Sequence, residues 1–123
     1  MKTVNTDKAP AAIGPYSQAI ISGGLVFTSG QIPVDPATGA VAGETIVEQA
    51  KQVMANLQVV LAAAGTTPEK AVKTTCFLAD MADFAAFNEI YAQTFTSKPA
   101  RSCVAVRTLP KGVLCEVEVV AEI

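Results

Sequence analysis

SKPARSCVAVRTLPKGVLCEVEVVA, residues 97–121, holds two apolar, β-branched runs on either side of a Pro-Lys-Gly turn. Pro99 closes the connection before it, Ser102–Val106 reads as a strand, Pro110 and Gly112 mark a turn, and Val113–Ala121 reads as the last strand. Side chains alternate along a strand, so Arg101 and Cys103 share one face of the first run and Glu116 and Glu118 share one face of the second. Paired as a hairpin around TLPKG, the two strands have two registers open to them. One sets Cys103 opposite Glu116 and Arg101 opposite Glu118, with all four on one face. The other, shifted by a residue, sends Arg101 and Glu116 to opposite faces unless a bulge intervenes. The pattern does not choose between them. A solvated edge for the glutamates and an ordinary ion pair for the arginine account for the same spacing.

Working back from that stretch, Asp83 offers an N-cap to a helix in which Phe84, Phe87, Ile90, Tyr91 and Phe95 share a face, a stripe read as core. Asn88 lies on that helix as a polar residue with no evident task. Ala71–Asp80 is rich in β-branched and aromatic residues, as strands are. Before it, Thr45 and Glu48 have capping-box spacing at the head of a long amphipathic helix with apolar residues from Ile46 to Ala64, and Gly65 suits its end. Ala19–Ser22 and Leu25–Thr28 flank Gly23-Gly24, a two-residue turn that glycines enter cheaply, and read as a hairpin. The order is ββαβαββ: an α+β mixed sheet with two helices packed on one face. Leu25-Val26-Phe27 and Val119-Val120-Ala121 put apolar side chains on both faces of their strands. The second face is therefore expected to be buried against further copies of the chain.

Size and composition narrow the chemistry. The chain has 123 residues, read as a single domain over 1–123, with net charge −2 and no histidine. Nothing in it reads as a signal peptide or a membrane span, so a cytoplasmic protein is expected. The acidic balance, with a pI near 5.0, lacks the cationic footprint of a nucleic-acid binder. Without histidine there is no Ser-His or Cys-His pair and no common zinc or iron ligand set. Cys76, Cys103 and Cys115 have no C-x-x-C spacing and read as reduced, buried thiols. Any reaction is left to carboxylate, guanidinium, hydroxyl, thiol, backbone or water. In TSGQIP, Gly30 would let a ligand approach the backbone, with Ser29 as a donor; a bend or bulge at a strand end needs the same residues.

The segments APAAIGPYSQA, TSGQIP, FNEIYAQTF and KPARSCVAV…LP…E, in this order and nearly at this spacing, resemble the Rid family of reactive intermediate deaminases, also called YjgF-like proteins. The resemblance extends over essentially the whole chain and is strongest to the RidA subfamily. It implies a chorismate-mutase-like fold assembled as a homotrimer, with sites between neighbouring subunits. It also implies hydrolysis of enamine and imine acids such as 2-iminopropanoate and 2-iminobutanoate to 2-oxo acids and ammonia, with no cofactor and no metal. Relatives have carried ribonuclease or translation-inhibitor names, a reading that the acidic pI and missing histidine disfavour. Position by position, Arg101 matches the family's carboxylate-binding arginine and Glu116 the acid that holds the attacking water. Cys103 matches a cysteine beside the substrate, Tyr16 and Asn88 match pocket residues, and Ser29 with Gly30 matches the pocket-lining loop. Cys115 and Val117, flanking Glu116, depart from the commoner aliphatic and isoleucine or methionine of the family, and affect packing alone. The connection from Asn88 to Arg101 is shorter than in some relatives, which bears on the pocket's edge.

Overall fold

A computed structural model describes residues 1–123. Its strands are β1 (Lys2–Val4), β2 (Ala19–Ser22), β3 (Leu25–Thr28), β4 (Ala71–Leu78), β5 (Ala100–Ala105) and β6 (Cys115–Glu122), and its helices are α1 (Ile46–Ala64) and α2 (Phe84–Thr94). The local signals account for much of this. Gly23 and Gly24 adopt φ of 60° and 80° in the β2–β3 turn, the left-handed pair a tight hairpin requires. Thr45 and Glu48 form the reciprocal capping box of α1, and Gly65 closes that helix at φ 89°. At the start of α2, Asp83 makes no side-chain cap. The carboxylate of Asp80 instead accepts from Ala82 N, capping the 3-10 turn that leads into the helix.

The six strands form one mixed sheet in the order β1-β2-β3-β6-β4-β5. This corrects two expectations. A short strand, β1, precedes the first hairpin and pairs with β2. More importantly, β5 and β6 are not hairpin partners, because β4 lies between them, parallel to β5 and antiparallel to β6. The reason is the crossover. Helix α2 carries the chain from the end of β4 back over the sheet, so β5 enters alongside β4 in the same direction. The connection after β5, with a 3-10 turn at Pro110–Gly112, then passes β4 to reach the slot between β4 and β3. Neither proposed hairpin register exists.

Both helices cover the same face. Cys115, Val117, Val119 and Ala121 of β6 are fully buried there, against Ala50, Val53, Leu57 and Leu61 of α1 in one core that also takes in Phe87 and Tyr91 of α2. Burying each Leu or Phe of this kind is worth about 1.5–3 kcal/mol, which outweighs the ordering of its side chain. Two polar residues of α1 interrupt the stripe and are nonetheless buried. Gln49 accepts from Leu114 N and donates to Gly43 O, while Asn56 donates to Ile32 O and Val34 O. They replace the missing secondary structure of those loops, satisfying backbone groups that burial would otherwise strand.

The other sheet face has no cover within the chain. Phe27 is 43% exposed and Val104 45%, and Ile20, Phe77 and Val120 on the same side are half-buried. Glu116, Glu118 and Glu122 share this face, alternating with the core residues of β6. No helix is long and apolar enough to cross a membrane.

Candidate functional site

The first cluster sits under α2. In β5, Arg101 is paired with Thr74 of β4, which in turn faces core residue Val119 of β6, so its side chain rises on the helix-covered face. Its guanidinium Nη1 donates to Asn88 Oδ1 at 2.8 Å, and the guanidinium carbon lies 4.7 Å from the centre of the Tyr91 ring and 5.6 Å from that of Phe84. Both distances suit attraction between a cation and an aromatic face. Tyr91 is itself fixed by a 2.6 Å hydrogen bond between its hydroxyl and Thr74 Oγ1. The arginine is thus aimed by two rings and an amide, with donors left for a ligand in a crevice of about 300 Å³ bounded by Asn88, Lys98, Pro99 and Arg101. Lys98, in the left-handed region at φ 56°, adds a second positive charge at its rim.

Cys103, two residues along β5, pairs with Cys76 of β4. Burial pushes its thiol above the ordinary range, with the Arg101 charge opposing in part, and the more deeply buried Cys76 is pushed up to about 12. At neutral pH both remain thiols. Cys103 stands on the same sheet face as Arg101, outside the residues that bound the crevice, and with its thiol held protonated it is a poor nucleophile.

The second cluster lies on the opposite face. Glu116 pairs with Phe77 and alternates with buried Cys115 and Val117, so it points away from the helices. Beside it the chain leaves β3 through Ser29-Gly30 and returns to β6 with Gln31 bridged to Val117. Relative to the β3–β6 register this adds one residue on the Ser29–Gln31 side, a bulge. Glu116 lies across Gly30 so closely that a Cβ there would be 2.9 Å from its Cδ; the glycine makes room for the carboxylate. Tyr16, Ser29, Gly30, Ile32, Pro110 and Glu116 bound a crevice of about 360 Å³. Burial, and secondarily the neighbouring Glu118, raises the Glu116 carboxyl above the usual range, as suits a proton acceptor. The Ser29 hydroxyl is occupied, donating to Ser17 O at 2.6 Å. Its part is to tie down the loop carrying Tyr16.

The expected site residues therefore come together as two sets. Asn88, Arg101 and Cys103 form one, and Tyr16, Ser29, Gly30 and Glu116 the other, on opposite faces of the same sheet. Arrangement of all four strand residues on a single face, one of the two expectations for residues 101–118, is overturned by the insertion of β4. Phe84 and Tyr91, which orient Arg101, belong to the aromatic stripe of α2 and carry no signal in sequence that separates them from core. No group of three or more Cys, Asp or Glu side chains is disposed to hold a metal ion.

A mixed six-stranded sheet with two helices on one face, a clamped arginine on an edge strand and a glutamate folded over a glycine bulge together define the architecture. Comparison with known proteins names it. The family model described as Endoribonuclease L-PSP matches residues 6–123. The chain is 56% identical to a RutC family protein of Synechocystis, over 98% of this chain and 95% of that one. It is 51% identical to the 2-iminobutanoate/2-iminopropanoate deaminase of Salmonella typhimurium, over 98% and 96%. The crystal structure of RidA from an Antarctic Psychrobacter superposes with a TM-score of 0.95 at 41% identity, covering all of both chains. This chain belongs to the Rid, or YjgF-like, family.

Proposed function

We propose that this protein hydrolyses small enamine and imine acids of the 2-iminobutanoate and 2-iminopropanoate type to 2-oxo acids and ammonia. We further propose that each site forms where two copies of the chain meet. The observation that carries the reading is the separation itself: one face holds an oriented guanidinium with no acid beside it, the other a partly desolvated carboxylate with no cation beside it. Each half has what the other lacks. The 51% identity to a deaminase over nearly the whole chain supports the same reaction.

Arg101 would take the substrate carboxylate through two parallel N–H···O bonds, held in plane by Asn88, Tyr91 and Phe84. Glu116 of the adjoining copy would hold a water over the imine carbon. As the water oxygen bonds to that carbon, the C=N π pair moves to nitrogen, and Glu116 accepts the proton that the water loses. The resulting carbinolamine takes that proton onto nitrogen; Glu116 then accepts the hydroxyl proton as the O–H pair re-forms the C=O bond and the C–N pair leaves with ammonia. An enamine enters the sequence after tautomerising to the imine. The protonated imine is already electrophilic, so placement does most of the work. The uncovered sheet face with Phe27 and Val104 supplies an apolar surface for the assembly. Because the two half-sites are different patches, a junction pairing them is head-to-tail, and three such junctions close a ring.

The direct test couples a pyridoxal-phosphate dehydratase to this protein and follows decay of the imine. Decay faster than the spontaneous rate, with ammonia and 2-oxo acid formed in equal amounts, supports the reading. Saturable 2-oxo acid binding without acceleration would replace it with a non-catalytic carboxylate-binding role. A light-scattering mass of one chain at micromolar concentration would remove the shared site.

A further inference from the structure

The motif around Tyr16 contains one residue with no assigned part in the chemistry, Gln18, whose side chain is 2% exposed. Its Oε1 accepts from Thr6 N at 2.7 Å, and its Nε2 donates to Thr6 O at 3.0 Å and Pro10 O at 2.8 Å. The amide thus pairs with both backbone groups of Thr6 as a neighbouring strand would, and also holds the chain at Pro10. Its own carbonyl accepts from Ser29 N at 2.9 Å. A single residue is therefore bonded to both walls of the Glu116 crevice: the loop that carries Tyr16 and the bulge that carries Gly30.

Between Pro10 and Ser17 the loop is exposed, with Ile13 84% and Tyr16 53% accessible, and the hydrogen bond it makes is internal, from Tyr16 N to Gly14 O. Its two ends are fastened by Gln18 at Pro10 and by the Ser29 hydroxyl at Ser17. We propose that Gln18 is a positioning residue for the reaction: a buried amide clamp that fixes the Tyr16 loop against the Ser29–Gly30 bulge, and so sets the shape of the acid half of the site. The proposal rests on the deaminase reading for its kinetic arm and on geometry alone for its structural arm. The clamp is largely local: of its side-chain partners, Thr6 and Pro10 lie outside the core that α1 and α2 cover, and Ala9, whose carbonyl accepts from Nε2 at 3.5 Å, touches it. Only Ala9 of the fastened segment reaches that core.

The test replaces Gln18 with Leu, which keeps much of the volume and loses all four side-chain hydrogen bonds, and separately with Glu, which keeps the acceptor for Thr6 N and loses the donors. In the Leu variant, amide exchange over residues 6–17 should accelerate while that of α1 stays at the parent rate. Acceleration spreading equally into α1, or no change over 6–17, overturns the clamp. Kinetically, Gln18→Leu should lower kcat/KM by about tenfold to 100-fold, the scale of a small misplacement of reacting groups, with Gln18→Glu intermediate. In a Tyr16→Ala background the same change should cost less than about twofold, because the residue it places is gone. An equal loss in both backgrounds marks a purely structural role and rejects the proposal. If the parent protein does not accelerate imine decay at all, the deaminase reading fails instead, and the exchange comparison still decides the clamp.

Discussion

The two clusters are built by different means. The Arg101 cradle is assembled from regular elements: the cation stands on β5, and the amide and rings that aim it stand on α2, with Tyr91 pinned to β4. The Glu116 crevice sets one strand residue against irregular backbone, a bulge and a loop held by side-chain hydrogen bonds. On the proposed reading, the constant part of the substrate, its carboxylate, would meet the rigid cluster, and water and differing side chains would be admitted by the cluster whose shape depends on loops.

The largest effect should come from the rigid half. Arg101→Ala removes the oriented guanidinium, whose planar fork the Lys98 ammonium at the rim does not reproduce, and should lower kcat/KM by about 100-fold or more. Arg101→Lys should recover little, because an ammonium lacks the planar fork. Retention of parent activity in either variant, with the oligomer intact, would break the assignment.

Mixing tests the division itself. If Arg101→Ala and Glu116→Gln chains are each inactive, a one-to-one mixture after subunit exchange should regain about one quarter of parent activity, since about one junction in four then joins an intact cradle to an intact crevice. A site contained in one copy would regain nothing.

Gly30→Ala sharpens the acid half. The new Cβ would lie 2.9 Å from Glu116 Cδ and must displace a flexible carboxylate, so kcat/KM should fall about tenfold while the melting temperature barely changes. The smallest effect concerns pH. Glu116 has a raised carboxyl pKa in the fold, so its ionisation opposes folding as pH climbs from the unfolded-state pKa through the folded one. Glu116→Gln should therefore melt slightly above the parent at neutral pH, with the gap closing as acid protonates the carboxyl in both states. A gap that widened in acid would contradict the desolvation account.

Local signals in the sequence held where their cause is local. The Gly23-Gly24 turn, the Thr45–Glu48 box and the Gly65 cap each concern residues within a turn of one another, and each formed. Pairing of β5 with β6 failed because alternation reports which residues share a face of a strand and says nothing of a third strand inserted between two others. The same gap hid the separation of the two clusters: the family resemblance singled out Arg101 and Glu116, yet the faces they occupy depended on where β4 lay. Gln49 and Asn56 went unread because a buried amide on an apolar stripe is recognisable only once the loop it holds is in place. Ser29, expected as a donor to a ligand, lies in the wall of the Glu116 crevice with its hydroxyl donated to Ser17 O instead.

The three glutamates on the uncovered face bear on how that face meets a copy of itself. A lone molecule displays Phe27 and Val104 to water, a surface prone to stack on its own kind. Two such faces laid against each other would bring Glu116, Glu118 and Glu122 of both into a shared apolar layer, where like charges repel and lose hydration. Indiscriminate stacking is thereby penalised. In acid, where those carboxyls take up protons, the penalty lapses, and isolated chains should clump.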